Sequence, residues 1–226
     1  MQLLENERID DLELKGLKLI QDTKAFCFGI DAVDLANFVT SKNEAVVVDL
    51  GCGNGIIPVL LSAKIKYKKI YGIEIQPKVA ELARRNVIFN NLEDSIEIIN
   101  EDLKNIVDRL GKASADIVVT NPPYRTSGCG KVNVDDSKAI ARHEIACNLE
   151  DVIKNASLLL KPLGKFFMVH RPDRLVDIIC TMRQYNLEPK NIKFIYDSKD
   201  KGATHVLLEG LKGGKKFVVV NREERR

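Results

Sequence analysis

The chain has 226 residues, of which 45% are hydrophobic and 30% are charged, and its formal net charge is +3. This balance is typical of a globular domain, excludes a disordered chain, and gives no reason by itself to expect nucleic-acid binding. No apolar run approaches the ~18 residues of a membrane span, and the first residues lack a secretory signal, so we expect a cytoplasmic protein. The five cysteines are never spaced Cys-x-x-Cys, so we expect reduced thiols and no metal site.

Short β-branched runs alternate with amphipathic segments along the chain, a pattern typical of βαβ units in a mostly parallel sheet. The predicted strands are 45–50, 69–75, 95–99, 116–120, 165–169, 191–196 and 204–209. Too few residues separate the last two strands for a helix, so these two must be antiparallel. The predicted helices lie at 31–39, 56–64, 77–87 and 152–160, with another beginning at Pro172. The pattern indicates one folding unit, in which 1–44 is a helical flank or lid and 45–226 is the main domain.

Three details of this prediction concern single elements. Asp31 is expected to cap the first helix. Val79, Leu82, Ala83 and Val87 are expected to form the buried face of the helix that begins near Pro77. The tail from Asn221 is expected to be frayed.

A glycine-rich turn follows the first predicted strand. It has glycines at every second position, Gly51, Gly53 and Gly55, and Asp49 stands two residues before the first of them. Glycines allow a tight turn and let a ligand approach the backbone closely. A dinucleotide fingerprint has a different spacing, and Asp49 would repel a pyrophosphate but attract a cationic amino-acid ligand. The turn therefore favours S-adenosylmethionine, which carries an ammonium and a sulfonium group.

Acidic residues also follow the second and third predicted strands. Glu74, with Ile75 beside it, ends the second strand, where a carboxylate can accept from both hydroxyls of a ribose. After the third strand come Glu101, Asp102 and Leu103, and a carboxylate here can accept from an adenine amine. We assign this contact to Asp102 and Leu103, although the sequence does not decide between Glu101 and Asp102.

The tetrapeptide at the end of the fourth predicted strand carries the chemistry. It consists of Asn121, Pro122, Pro123 and Tyr124. The two prolines remove two backbone donors, so only carbonyl acceptors remain in a rigid corner. The Asn121 side-chain oxygen and the Pro122 carbonyl can accept both hydrogens of a planar amino group, and Tyr124 can stack on a base. We assign catalysis to these four residues and expect Asn121 to face the cofactor as well.

These motifs resemble those of class I S-adenosylmethionine-dependent methyltransferases that act on amino groups. Three further segments, 26–31, 141–144 and 170–175, are similar to the bacterial tRNA1(Val) adenine-37 N6-methyltransferase family. The resemblance implies a Rossmann-like α/β fold with a seven-stranded, mostly parallel sheet, one antiparallel strand, and helices on both faces. It also implies that Phe28 and Asp31 close over the cofactor and that the substrate is an anticodon-loop adenine of tRNA. We expect a monomer that uses neither a membrane nor a metal.

Three alternatives remain open. Release-factor glutamine methyltransferases also use Asn-Pro-Pro-Tyr, but they usually carry a helical domain ahead of the first strand, and only 44 residues precede Ala45 here. Guanine-N2 methyltransferases of ribosomal RNA use the same chemical logic, often with Phe in the fourth place. The third alternative is a nucleoside-binding module without catalysis, which would have no need of Asn121 and Tyr124.

Overall fold

The computed structural model describes residues 3–24, 29–41, 43–123, 148–198 and 201–225. The strands are β1 Glu7–Asp11, β2 Lys18–Asp22, β3 Ala45–Leu50, β4 Tyr67–Glu74, β5 Ile96–Asn100, β6 Ala115–Thr120, β7 Leu160–His170, β8 Leu187–Tyr196, β9 His205–Lys212 and β10 Val219–Glu224. The helices are α1 Ile30–Phe38, α2 Ile56–Lys64, α3 Pro77–Phe89, α4 Ile106–Leu110, α5 Leu149–Leu159 and α6 Leu175–Gln184, with a 3-10 turn at Pro172–Arg174. No helix within these ranges has both the length and the apolar character needed to cross a membrane.

Eight strands form the main sheet, in the order β10-β8-β9-β7-β6-β3-β4-β5. Only β9 runs antiparallel to its neighbours, and every other pair in this sheet is parallel. The predicted mostly parallel sheet with one reversed strand is therefore confirmed. The chain moves from β3 outward to β4 and β5 and then returns to β6 on the other side of β3. Ligands of open α/β sheets bind at the carboxyl ends of strands beside such a reversal.

The eighth strand corrects the expectation of a frayed tail. β10 pairs in parallel with β8, from Val219 opposite Asn191 to Glu224 opposite Tyr196. Both faces of β10 are exposed, so the strand lacks the alternation of apolar and polar residues by which a strand is usually predicted.

Helices cover both faces of the sheet, as predicted. Alternating residues of β3 point to opposite sides: Val47 packs in a core cluster with α1, α2 and α3, whereas Val48 packs in a second cluster with α4, α5 and α6. Strands that are apolar on both faces are typical of a buried parallel sheet. The central strands therefore form a rigid, buried layer that supports the site at their carboxyl ends.

The N-terminal flank contains a β-hairpin in addition to the expected helix. β1 and β2 pair antiparallel, and β2 lies along α3. The Asn86 Oδ1 atom accepts from the Ile20 N–H at 2.6 Å, and Asn86 Nδ2 donates to the Ile20 carbonyl at 3.0 Å. Asn90 makes the same pair of bonds with the backbone of Lys18. Two asparagines one helical turn apart on α3 thus pair with backbone groups of β2 on the edge that β1 leaves open.

Two predictions for this region need correction: Ala83 and Val87 lie on the buried face of α3 as predicted but Val79 and Leu82 do not, and Asp31 does not cap α1. The buried face of α3 consists of Ala80, Ala83, Asn86 and Val87, because contact with β2 and the glycine turn buries a polar side chain. Val79 and Leu82 are only half-buried. The N-cap of α1 is Gly29, so Asp31 lies inside the first turn and does not cap the helix.

Candidate active site

The acidic residues and the Asn-Pro-Pro corner meet at one edge of the sheet. Asp49 and the glycine turn end β3, Glu74 ends β4, Asp102 follows β5 and Asn121 follows β6. These four strands are parallel neighbours in the sheet, so their carboxyl ends lie side by side. The described motif residues therefore lie together at one edge of the sheet.

The glycines of the turn divide into two roles. All three adopt left-handed φ angles, +77° at Gly51, +54° at Gly53 and +85° at Gly55. A Cβ at Gly51 or Gly53 would meet no atom within 4 Å, whereas one at Gly55 would lie 3.3 Å from the Cβ of Ala83 on α3. The first two glycines thus present bare backbone to open space, and the third allows the turn to pack against a helix.

The Asp49 carboxylate is fully buried, and neither of its oxygens has a hydrogen-bond partner among the described residues. Burial raises the pKa of Asp49 well above its usual range, and the negative charge of Glu74 raises it further. An uncompensated buried carboxylate costs free energy unless a cation or donor reaches it. This position fits a ligand that carries an ammonium group.

Glu74 connects β4 to the glycine turn. Its Oε2 atom accepts from the Gly53 N–H at 3.1 Å, and its Oε1 atom accepts from the Gln76 N–H at 2.9 Å. Asn100, at the end of β5, donates from Nδ2 to the carbonyls of Glu74 at 2.8 Å and Ile75 at 3.0 Å. The carboxylate is therefore held in place, and the side chain of Ile75 beside it is exposed at the edge of the sheet.

Each carboxylate after β5 takes part in a local turn. Glu101 Oε1 accepts from Asn105 Nδ2 at 3.2 Å and from the Asp102 N–H at 3.0 Å, and these bonds, the Asn105 bond foremost, lower the pKa of Glu101. Asp102 Oδ1 accepts from the Lys104 N–H at 2.9 Å. Leu103 is buried in the core. The choice between Glu101 and Asp102 as an adenine contact stays open.

The Asn-Pro-Pro corner is tied to two other parts of the chain. Thr120, the last residue of β6, donates from Oγ1 to the Leu50 carbonyl at 2.8 Å, next to the glycine turn. Asn121 is half-buried, and its Nδ2 atom donates to Asp31 Oδ2 on α1 at 3.1 Å. Pro122 is buried and Pro123 is exposed. The corner is thus held on one side by β3 and on the other by α1.

Two predicted site residues, Phe28 and Tyr124, lie outside the described residues. Sequence reasoning missed three residues that shape the site: Asn86, whose Nδ2 donates to the Asn54 carbonyl of the glycine turn at 2.9 Å, Asn100 and Thr120. An amide or hydroxyl at the end of a strand or on an apolar helix face is the only local signal for them. Within the described ranges, no group of three His, Cys, Asp or Glu side chains is arranged to hold a metal ion.

The reversed strand, the glycine turn and the acidic residues at the carboxyl edge define a Rossmann-like fold of the class I methyltransferase type. The family comparison agrees with this class. The chain belongs to the methyltransferase small domain family, whose model matches residues 28–177.

Curated relatives add a more specific likeness. The tRNA1(Val) (adenine(37)-N6)-methyltransferase of Porphyromonas gingivalis strain W83 is 33% identical over 164 residues, which cover 72% of this chain and 64% of the relative. The enzyme of the same name from Aeromonas salmonicida is 26% identical over 195 residues, which cover 86% of this chain and 80% of the relative. The chain thus spans less than two thirds of the Porphyromonas protein.

Solved structures share the fold. One is an Agrobacterium tumefaciens protein described as a predicted O-methyltransferase, with a TM-score of 0.69, 21% identity and 86% coverage of each chain. Another is M. jannaschii TYW2 in complex with AdoMet, with a TM-score of 0.61, 16% identity, and coverage of 93% of this chain and 88% of that one. At these identities, the likeness concerns the fold alone.

Proposed function

We propose that this protein transfers a methyl group from S-adenosylmethionine to the N6 amine of an adenine in tRNA, in the anticodon loop. The observation that carries the proposal is the position of Asn121 and Pro122 directly after β6, the strand that pairs with β3 beside its glycine turn. The names of the curated relatives support adenine in tRNA as the substrate.

The residues at the carboxyl edge fit the cofactor. Bound there, S-adenosylmethionine supplies an electrophilic methyl group on a sulfonium. In our proposal, Asp49 receives its ammonium, which compensates the buried carboxylate, and Gly51 and Gly53 let it approach the backbone. Glu74 accepts from the ribose hydroxyls while Gly53 and Gln76 hold its carboxylate in place. The remaining proposed cofactor contacts are Gly55, Ile75, Asp102, Leu103 and Phe28.

The Asn-Pro-Pro corner is proposed to receive the amine. Asn121 Oδ1 and the Pro122 carbonyl accept its two hydrogens, so that the nitrogen lone pair points away from the corner toward the methyl group. Charge builds on the nitrogen during transfer, so these acceptors stabilise the transition state more than the ground state. Pro123 keeps the corner rigid, and Tyr124 stacks on the base, which must leave its own stack to reach the site. No general base is needed, because the methylated ammonium is acidic enough to release its proton to solvent.

The remaining parts of the proposal concern the setting of the reaction. We propose that 45–226 forms the methyltransferase domain, that 1–44 flanks it, and that the protein acts as a monomer in the cytoplasm, where tRNA is modified.

Methyl transfer is tested with labelled S-adenosylmethionine and three separate acceptors: total tRNA, ribosomal RNA and release factors. We expect label in tRNA alone and N6-methyladenosine after digestion to nucleosides. Asn121→Ala should lower kcat at least about 100-fold while the affinity for S-adenosylhomocysteine changes less than about twofold. Label in release factors, or N2-methylguanosine in ribosomal RNA, would overturn the proposal in favour of those substrates. Cofactor binding without transfer to any acceptor would indicate a binding module.

A further inference from the structure

Within the described part of the site, one hydrogen bond joins α1 to the Asn-Pro-Pro corner, and the proposed chemistry gives this bond no role. Asp31, on α1, lies 90 positions from Asn121 in sequence, yet its Oδ2 atom accepts a hydrogen bond from Asn121 Nδ2 at 3.1 Å. We propose that Asp31 is a positioning residue that holds the Asn121 amide with its oxygen toward the methyl acceptor. This inference rests on the proposed function and gives Asp31 a role different from cofactor contact.

The chemistry of the two side chains decides the orientation of the amide. An ionised carboxylate only accepts hydrogen bonds, whereas the Asn amide has a donor end and an acceptor end. With Asp31 at hydrogen-bond distance, the nitrogen end of Asn121 faces α1 and Oδ1 lies on the other side. In the reversed orientation, the amide N–H2 would face the amine of the base, and two donors would oppose each other. Only one of the two orientations is therefore competent for catalysis.

The backbone before α1 leaves room for this arrangement. Gly29 has a φ of −96°, which any residue adopts, so its backbone angle does not require glycine. A Cβ at Gly29, however, would overlap the Oδ1 atom of Asp31. The Asp31 carboxylate is thus folded back over Gly29, and Asp31 as a whole residue is 7% exposed. Glycine at position 29 is needed for space on the side of the carboxylate.

α1 is itself firmly anchored, so it can position a side chain. Leu35 and Ala36 are fully buried against the core, and Phe38 meets Phe167 of β7 edge-to-face with 5.9 Å between ring centroids. Asp34, on the same helix, forms an ion pair with Arg225 after β10. A catalytic group held by a packed helix keeps its geometry better than one held by solvent, and a displacement of about 1 Å can cost roughly 100-fold in rate.

A double-mutant cycle in kcat tests the proposal. Asp31→Ala should lower kcat about 100-fold while the dissociation constant for S-adenosylhomocysteine changes less than about twofold. In a chain that already carries Asn121→Ala, adding Asp31→Ala should lower kcat no further, because the proposed effect of Asp31 on the reaction passes through that amide. Asp31→Asn should restore part of the activity, since its side-chain oxygen can still accept from Asn121. Gly29→Ala keeps the carboxylate but displaces it. This variant should lower kcat more than Asp31→Asn and less than Asp31→Ala.

The matched control is Asp34→Ala, which removes another carboxylate from the same helix and breaks its ion pair with Arg225. It should lower the thermal midpoint at least as much as Asp31→Ala but leave kcat within about twofold. An equal fall of kcat in Asp34→Ala would show that loosening of α1 is sufficient, and the proposal would be wrong. Independent, multiplying losses in the double variant would also overturn it, as would a weaker cofactor affinity with kcat unchanged.

Failure of the proposed function is distinguishable from failure of this inference. If the wild-type protein labels ribosomal RNA or a release factor instead of tRNA, the substrate assignment fails, and the same cycle is measured on the labelled substrate. If it labels nothing, the cycle is measured in the free energy of unfolding. Asp31→Ala and Asn121→Ala should then be coupled, and purely additive losses would overturn the contact itself.

Discussion

Asp49 and Glu74 are neighbouring carboxylates at the ends of adjacent strands, and their negative charges repel each other. Burial raises the pKa of Asp49 well above its usual range, and Glu74 raises it further. Glu74 is compensated by two backbone N–H groups, whereas Asp49 has no hydrogen-bond partner in the described part of the chain. The free protein therefore carries a destabilising feature that a cationic ligand would relieve.

Replacing Asp49 should have opposite effects on the stability of the protein and on its affinity for the ligand. Asp49→Asn should raise the free energy of unfolding of the ligand-free protein at pH 8, because it removes the penalty of ionising a buried carboxylate. It should at the same time weaken S-adenosylhomocysteine binding at least about 10-fold, because the ammonium loses its counter-charge. Urea denaturation and calorimetry measure the two effects, and a variant that loses both stability and affinity would contradict this account.

The pH dependence of stability follows from the same shift. The native pKa of Asp49 lies above the ordinary value of 3.8 expected in the unfolded chain, so the unfolded state ionises first as pH rises. The contribution of Asp49 is therefore fully present below about pH 4 and is lost as pH rises through the native pKa. We expect the stability difference between wild type and Asp49→Asn to grow over that window. Binding of the ammonium ligand should release protons there, which calorimetry in buffers of different ionisation enthalpy detects.

The open space above the first glycine should be needed for the cofactor. Gly51→Ala places a Cβ in that space and also strains a φ of +77°, which should cost about 1–2 kcal/mol. Gly16→Ala is a matched control, since Gly16 has a φ of +75° in the β1–β2 turn and also faces open space. Both variants should lose stability, but only Gly51→Ala should weaken S-adenosylhomocysteine binding, by at least about 10-fold. Equal affinities would place the ligand elsewhere.

The two asparagines that hold β2 should differ in their influence on the site. Asn86→Ala removes two bonds to Ile20 and one to the glycine turn from a fully buried position and should cost about 2–3 kcal/mol. Asn90→Ala removes the equivalent bonds to Lys18 at a half-buried position and should cost about 1 kcal/mol. Only Asn86→Ala should weaken cofactor binding, because only Asn86 reaches Asn54. Hydrogen exchange at the Ile20 amide reports the loss directly.

Two arginines near the C-terminal end, Arg225 and Arg222, should differ in how much each contributes to the stability of the fold. Arg225 is only 19% exposed and pairs with both Asp34 and Asp197, so Arg225→Ala should cost about 1–3 kcal/mol. Arg222 lies on exposed β10 and pairs with Glu224 beside it, so Arg222→Ala should cost less than about 1 kcal/mol. Thermal unfolding compares them. Equal losses would mean that the tail does not anchor α1.

The sequence by itself determined the strands β3 to β9 and the helices α1, α2, α3, α5 and α6, whereas the short helix α4 was not predicted. The apolar period of two or 3.6 residues, the glycine turn and the Pro residues at helix starts are local signals, and each specifies its own segment of backbone. Strand alternation along the chain also placed the motifs at one edge, because parallel strands share a carboxyl end. The residue types at that edge were enough to predict an ammonium ligand and a planar amine acceptor.

Only the tertiary structure decided which distant side chains meet. The bonds between Asp31 and Asn121, and between Asn86 and β2, join segments that are 90 and 66 positions apart, and no local pattern encodes such a pairing. β10 likewise exists because β8 offers an open edge, whereas its own exposed residues carry no strand signal. A buried polar group forms its hydrogen bonds with the groups that tertiary packing places next to it. Its partners are therefore evident only from the assembled fold.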